Sequence, residues 1–228
     1  MEQKDNTEHA KHYISVIDGY KSERWCEDCW LLKHLCICSN LASLSNPTNS
    51  TFHLFLHYKE YMRTSNTGIL IKKLIQGSDV HIWGIEEERQ KLLKKLETQE
   101  NICVLYPGDK SIPLETWIEN RKGLAKDFIL LDSTWNQGRK LLNCLPENFT
   151  RVKIVNPGDS LIKCKKQANK GYLSTLECAA YILKALGDAA GFEGIMKAFV
   201  MKDKAALKQT NKHSLLKSLE ESKHYDLN

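Results

Sequence analysis

The stretch DFILLDSTWNQGRKLL (residues 127–142) changes its hydrophobic pattern in the middle. Its first part is a short apolar run, typical of a buried strand, and its second part carries leucines at helical spacing. Thr134 and Gln137 have the spacing of a capping box, which marks the beginning of a helix. Asp132 lies at the junction, where the predicted strand passes into the predicted helix. A strand followed directly by a helix is the repeating unit of a parallel sheet.

The rest of the chain repeats this alternation. Strands are predicted at 51–58, 79–83, 101–106 and 151–155, and helices at 69–76, 86–97 and 176–186, while 60–68 and 107–117 are predicted loops. The pattern predicts an α/β fold with a mainly parallel sheet flanked by helices on both faces. Ligands of such sheets bind beyond the carboxyl ends of the strands. Asp132 is therefore placed where chemistry is expected.

Composition and charge narrow the class of protein. The 228 residues are 42% hydrophobic and 27% charged, as in a globular protein, which excludes a disordered chain. We expect a cytoplasmic protein without a membrane partner, because no apolar run has the length of a membrane span and the N-terminus does not resemble a secretion signal. The net charge of +5 weakly favours a polyanionic partner.

Half of the cysteines are clustered. The motif C-x-x-C-x6-C-x-C places four thiols within a short segment, at Cys26, Cys29, Cys36 and Cys38, whereas the other four cysteines lie scattered in apolar surroundings. Such close pairs can converge on one tetrahedral zinc ion, and four protein ligands leave no position for a substrate. The pattern predicts a structural zinc site, with paired disulfides or a labile iron–sulfur cluster as alternatives.

Most other motifs have a purely structural explanation when taken singly. Ser174 and Glu177 fit a second capping box, Pro107 and Gly108 can make a turn, and Trp135 can anchor a core. We interpret His57, at the end of an apolar strand, as a hydrogen-bonded structural residue. Asp132 differs from these residues, because the capping box at Thr134 does not need it.

Taken together, the motifs resemble a known family. The cysteine motif, HYKEYMRTSNTG (57–68), LYPG (105–108), LLDSTW (130–135) and YLSTLE (172–177) occur in the order found in the DTW-domain family, which is named for its D-x-T-W motif. The resemblance covers about residues 26 to 187. Two departures are Ser133, where glycine is common, and the acidic Glu27 and Asp28, where basic residues often occur.

The resemblance implies an activity and a fold. Members of the family are similar to tRNA-uridine aminocarboxypropyltransferases, which transfer the 3-amino-3-carboxypropyl group of S-adenosylmethionine to N3 of a uridine. They are also similar to SPOUT enzymes, so a C-terminal trefoil knot is expected. Three parts are predicted on this basis: a leader and zinc module (1–45), a SPOUT-like catalytic domain (46–201) and a polar, lysine-containing tail (202–228). The predicted partner is tRNA, modified in its variable loop, and no obligate protein partner is expected.

The family's functional residues carry over by position. Asp132 is the predicted base. The predicted contacts to S-adenosylmethionine are Leu105, Tyr106, Pro107, Gly108, Thr134, Trp135, Ser174, Thr175 and Glu177. The predicted contacts to tRNA or to the donor carboxylate in the early segment are Arg63 and Asn66. Outside the family motifs, the lysine-rich KCKKQANK (163–170) is a candidate contact to the tRNA backbone through Lys163, Lys165 and Lys166, with a solvated loop as the equal alternative.

Two other functions stay open at the level of sequence. A SPOUT-like methyltransferase would use the same pocket but present the methyl group of S-adenosylmethionine to the nucleophile. A non-catalytic, zinc-dependent RNA-binding protein would need Asp132 only for its structure. The released product distinguishes the first alternative, and substitution of Asp132 distinguishes the second.

Overall fold

The structure is a computed structural model that describes residues 2–21, 23–41, 50–164 and 173–212. The strands are β1 Ser50–His57, β2 Asp79–Trp83, β3 Ile102–Leu105, β4 Ile112–Pro113, β5 Lys126–Asp132 and β6 Thr150–Lys153. The helices are α1 Glu2–Lys21, α2 Ile71–Leu74, α3 Glu86–Leu96, α4 Leu114–Glu119, α5 Trp135–Leu142, α6 Thr175–Ala185 and α7 Ala189–Gln209.

The six strands form one sheet in the order β2-β1-β5-β3-β6-β4, and all neighbouring strands are parallel. This arrangement confirms the predicted fold class. The chain passes from β1 outward to β2 and then crosses β1 and the later β5 to reach β3. The carboxyl ends of β1, β5 and β3 therefore lie side by side, and the crevice beyond them is the expected ligand site.

Helices cover both faces of the sheet. On one face, Phe52, Leu54 and Leu56 of β1 belong to the larger apolar cluster, which also contains residues of α2, α4, α6 and α7. On the other face, Phe55 packs in a second cluster with leucines of α3 and α5. Since successive side chains of a strand point to opposite faces, a continuous apolar run is needed to fill both clusters.

Several elements were not predicted from the sequence. The leader forms helix α1, and the predicted loop 107–117 contains β4 and the beginning of α4. Strand β4 is only two residues long and ends in proline, so it has no readable period. Helix α4 is short, and its Trp117 is fully buried against Phe128.

Helix α7 crosses the predicted boundary between residues 201 and 202. It continues to Gln209, and the side chains of Lys202 and Asp203 are completely buried. Burial of a lysine next to an aspartate is unusual in a surface tail, and it requires hydrogen-bond partners. Helix α7 therefore continues past residue 201, the predicted end of the catalytic domain, and the division into three parts stays a prediction.

The predicted knot stays a prediction, because the segment 165–172 lies outside the described residues. Among the described residues, no helix has both the length and the apolar character that crossing a bilayer requires.

Candidate active site

A cavity of about 700 Å³ opens at the carboxyl ends of β3 and β5. It brings together motifs that are far apart in the sequence: the early segment, the LYPG loop, the DSTW junction and the beginning of α6. The cavity is lined by Glu60, Arg63, Ser65, Leu105, Tyr106, Pro107, Leu130, Leu131, Asp132, Ser133, Thr134, Trp135, Asn136, Gly138, Leu173, Ser174, Thr175 and Cys178. Its volume lies within the range of small-molecule sites.

Asp132 lies at the wall of this cavity, with only 4% of its surface exposed. Its Oδ2 accepts a hydrogen bond of 2.7 Å from Asn66 Nδ2, and its Oδ1 accepts one of 2.9 Å from Thr175 Oγ1. Asn66 is itself fixed, because its Oδ1 accepts a hydrogen bond from the backbone amide of Ile69. These contacts hold the carboxylate in one orientation next to the first turn of α6, where the helix dipole stabilises a negative charge.

Gly68 allows this arrangement. A Cβ atom at position 68 would lie 2.5 Å from Asp132 Oδ2, closer than a Cβ atom can approach an oxygen, and 3.2 Å from Leu54 Cδ1, which is a tight contact. The early motif therefore needs glycine at this position, because the carboxylate of Asp132 approaches the backbone too closely for a side chain.

The early segment contributes an ion pair to the cavity. Arg63 Nη1 lies 2.7 Å from Glu60 Oε1, and the arginine side chain is half exposed while the glutamate is buried. His57 does not line the cavity but stacks against both Tyr58 and Trp83, at centroid distances of 4.8 and 4.6 Å. Burial and the nearby Lys59 lower the pKa of His57 to about 4, consistent with its interpretation as a structural residue.

Aromatic side chains form one rim of the cavity. The rings of Tyr106 and Trp135 lie 6.3 Å apart, and Trp135 is 38% exposed, so this tryptophan does not anchor the core. It begins α5 after Thr134, whose backbone amide donates to the side chain of Gln137. Because the capping box fixes where α5 begins, it also places Trp135, the first residue of this helix, at the cavity.

The beginning of α6 supplies Ser174 and Thr175 to the cavity, but Glu177 lies beneath it. The carboxylate of Glu177 is 1% exposed and accepts hydrogen bonds from Ser160 Oγ and from the backbone amides of Leu161 and Ser174. Glu177 therefore caps α6, as predicted, and also holds the segment that precedes residues 165–172.

The other predicted site residues are placed differently. Gly108 does not line the cavity and forms a tight turn in which its amide donates to Ser111 Oγ. Lys163 is exposed, and only its backbone amide is fixed, by the carboxylate of Asp203. Lys165 and Lys166 lie outside the described residues.

Sequence reasoning did not select Ser65, Asn136 and Cys178 as site residues. Cys178 lies three residues after Thr175, so both side chains lie on the same side of α6, and this spacing could have identified Cys178 from the sequence. Burial raises the pKa of its thiol to about 12, so it lines the cavity as a neutral thiol.

The clustered cysteines come together in space. Cys26 Sγ lies 3.7 Å from Cys38 Sγ and Cys29 Sγ lies 3.8 Å from Cys36 Sγ, and all four sulfurs lie within 4.8 Å of one another. Four sulfurs at about 2.3 Å from a tetrahedral zinc ion are separated by about 3.8 Å, whereas disulfide sulfurs are about 2.05 Å apart. The four thiols are therefore arranged to hold a metal ion such as zinc.

The cysteine module is joined to helix α7. Lys202 Nζ donates a hydrogen bond to the backbone carbonyl of Cys29, and burial lowers the pKa of this lysine to about 8. Trp30 and Leu31 pack in the same apolar cluster as the central strands. The module and the sheet therefore share one core.

Comparison with known proteins gives one matching family, described as the DTW domain, over residues 23–223. Among similar proteins is a tRNA-uridine aminocarboxypropyltransferase 2 from Macaca fascicularis, which is 26% identical over 177 residues, or 75% of this chain and 59% of the relative. Proteins of the same name from Drosophila melanogaster and Mus musculus are 25% and 27% identical over 71% of the chain.

The chain spans 59%, 66% and 56% of the length of these three relatives, in the same order as above. No solved structure matches the chain.

Proposed function

Because the chain belongs to the DTW-domain family, we propose that it is a tRNA-uridine aminocarboxypropyltransferase that uses S-adenosylmethionine as the donor. The single observation that supports this proposal is the convergence of four distant motifs, including the one that contains Asp132, on one cavity around its carboxylate. A domain that only bound RNA would not need a buried, oriented carboxylate at the wall of a pocket of this size.

Asp132 is the proposed base. Uridine N3 carries a proton at neutral pH and is a poor nucleophile until an acceptor takes that proton. In the transfer, a bond forms between N3 and Cγ of the donor, the bond from Cγ to sulfur breaks, methylthioadenosine leaves with the electron pair, and the N3 proton goes to Asp132. The hydrogen bonds from Asn66 and Thr175 position the carboxylate for this step.

Most of the predicted contacts to the donor lie around Asp132 in the cavity. Leu105, Tyr106 and Pro107 form one side, with Thr134 and Trp135 at the rim and Ser174 and Thr175 at the beginning of α6. We propose that these side chains hold the nucleoside and methionine parts of S-adenosylmethionine. Gly108 and Glu177 act indirectly, through the turn after β3 and through the anchor at Ser160 and Leu161.

Arg63 is proposed to bind an anionic group at the cavity entrance, either the donor carboxylate or a phosphate of tRNA. Its guanidinium group is half exposed and already oriented by Glu60, so it can reach an anion without leaving the ion pair. We further propose that Lys163, Lys165 and Lys166 contact the tRNA backbone, that the modified uridine lies in the variable loop, and that the protein acts in the cytoplasm.

We propose that the four clustered cysteines bind zinc. The ion would supply folding energy to a segment that is too small to form its own core. Because all four positions of a tetrahedral ion are then occupied by protein sulfur, the zinc does not take part in the transfer.

The test of this function is the variant Asp132→Asn. It keeps the shape of the side chain and removes the base, so transfer to tRNA should fall by at least about 100-fold while S-adenosylmethionine binding persists. The products are measured by mass spectrometry of the nucleosides of modified tRNA and by chromatography of the released thioether. The matched control is Asp109→Asn, an exposed aspartate after the LYPG motif that does not line the cavity.

Release of S-adenosylhomocysteine in place of methylthioadenosine would identify a methyltransferase and contradict the proposed transfer. An Asp132→Asn variant that modifies tRNA at the rate of the native chain would remove Asp132 from its proposed role.

A further inference from the structure

A second group of metal-ligating side chains lies on β1 and the edge strand β2, outside the cavity around Asp132. His53 on β1 is in register with Asp79 on β2, and His81 follows two residues later on the same strand. The three side chains therefore point to the same face of the sheet. Neither the sequence motifs nor the proposed transfer makes use of them.

The three groups are close enough to share one ion. His53 Nδ1 lies 2.8 Å from Asp79 Oδ1, His81 Nε2 lies 3.1 Å from the same oxygen, and the three ligand atoms lie within 4.8 Å of one another. Ligand atoms at about 2.0 to 2.1 Å from a tetrahedral zinc ion are about 3.3 Å apart. The two contacts to Asp79 Oδ1 are shorter than this value by about 0.5 Å for His53 and about 0.2 Å for His81, so each needs only a small outward movement.

His81 provides an independent indication. It is 6% exposed, and neither of its ring nitrogens forms a hydrogen bond among the described residues, although Nε2 is near Asp79. The distance to Asp79 Oδ1 is suitable, but the direction of the ring N–H bond is not. A buried imidazole without hydrogen bonds is unfavourable, and a metal ion on Nε2 would satisfy it.

Carboxylates stand behind both imidazoles. His53 Nε2 lies 2.9 Å from Asp127 Oδ1, and His81 Nδ1 lies 3.8 Å from Glu88 Oε2. Histidines that bind metal through one ring nitrogen typically donate the other N–H to a carboxylate, which fixes the ring and raises its basicity. His53 has this arrangement through Asp127, whereas Glu88 lies beyond hydrogen-bond distance of His81.

The local charge also favours a cation. Asp79, Asp127 and Glu88 carry three negative charges around the imidazoles, and two cations of α3 face them: Lys95 Nζ contacts Asp79 Oδ2, and Lys91 Nζ lies 2.6 Å from Glu88 Oε1. With neutral histidines the group has a net charge of −1, from three carboxylates and two ammonium groups. The surplus charge is negative, which favours a bound cation.

We propose that His53 Nδ1, His81 Nε2 and Asp79 Oδ1 bind a divalent transition-metal ion of the zinc class, with Asp127 orienting the imidazole of His53. The ion joins β1 and β2 and, through Asp127, the beginning of β5. Because none of these residues lines the cavity around Asp132, the ion stabilises the fold and does not take part in transfer.

A protonated His53 bridging Asp79 and Asp127 is the competing arrangement. It gives both ring nitrogens of His53 a hydrogen-bond partner and neutralises one negative charge, but it leaves the ring nitrogens of His81 without hydrogen bonds. The two arrangements differ in metal uptake, which can be measured directly.

The experiment uses the full chain with its cysteine cluster already loaded with zinc. Titration calorimetry with Zn²⁺ should show one further equivalent per chain. Co²⁺ should give visible d–d bands of nitrogen and oxygen coordination without an additional thiolate charge-transfer band. His81→Phe keeps the ring volume and breaks no hydrogen bond, so it should fold and lose the further equivalent. Asp127→Asn should weaken it by about 10- to 100-fold.

The matched control is His57→Phe, which removes another buried histidine of the same sheet and should retain the uptake. If His81→Phe does not fold, Asp79→Asn replaces it, because it removes the anionic ligand and keeps an acceptor for the neighbouring groups. The proposal is overturned if the native chain takes up no further equivalent at submillimolar Zn²⁺, or if the ligand variants take up as much as the native chain.

Discussion

Asp132 shows how much one residue depends on its neighbours. Its carboxylate is held by Asn66 and Thr175, which come from the loop after β1 and from the first turn of α6, and it lies against the backbone of Gly68. The D-x-T-W pattern identified the residue, but only the packed structure shows which donors hold it.

The contact with Gly68 leads to a prediction. In Gly68→Ala the new Cβ must displace the Asp132 carboxylate, so the rate of transfer should fall by about 100-fold, the effect of a displacement of about 1 Å at a catalytic group. Turnover on tRNA measures the loss. Gly19→Ala, on the exposed helix α1 with no atom near the new Cβ, should keep the native rate. A fully active Gly68→Ala variant would mean that the carboxylate does not need its observed position.

His57 predicts a dependence of stability on pH. Its pKa is lowered from 6.5 to about 4, mainly by burial, so between these values the unfolded chain binds a proton that the folded chain does not. Folding stability should therefore fall as the pH decreases through this range, by on the order of 2 kcal/mol at pH ~4.5. Urea unfolding of the native chain and of His57→Gln, compared at neutral and acidic pH, isolates this contribution. Equal losses in both proteins would contradict it.

Helix α7 was not predicted from the sequence, and it connects segments that are distant in the chain. Asp203 accepts hydrogen bonds from the amides of Lys163 and Cys164, Lys202 donates to Cys29, and Gln209 contacts both Leu32 and Thr64. One helix thus connects the cysteine module, the loop after β1 and the segment before 165–172.

The variant Asp203→Asn tests this connection. It leaves two buried amides facing a weaker, uncharged acceptor, so the free energy of unfolding should fall by about 1–3 kcal/mol. Glu193→Gln, an exposed position on the same helix, should change it by less than about 0.5 kcal/mol. Urea denaturation measures both, and similar values for the two variants would show that the buried hydrogen bonds of Asp203 contribute little.

At the scale of the whole molecule, the cysteine module and the sheet share one apolar cluster. Loss of metal from the cysteines should therefore affect the stability of the whole domain, and the effect should not stay local. Cys36→Ser should lose the zinc of this cluster and lower the melting temperature of the entire domain in a single transition. Cys144→Ser, which replaces a cysteine outside the cluster, should leave the zinc of the cluster bound. A Cys36→Ser variant that melts like the native chain would show that the module folds independently.

The amino-acid sequence by itself determined the alternation of strands and helices, the DTW family and nine of the 18 residues that line the cavity. These features are local, since hydrophobic periods, caps and motifs are written within a few residues. The sequence did not reveal β4, the extent of α7 or the pairing of His53 with Asp79, because each depends on contacts between segments distant in the chain. Buried polar residues such as Lys202 and Asp203 look like surface residues until their partners are known. Only the tertiary structure supplies these partners, because a polar group is stable in a core only where another segment satisfies it.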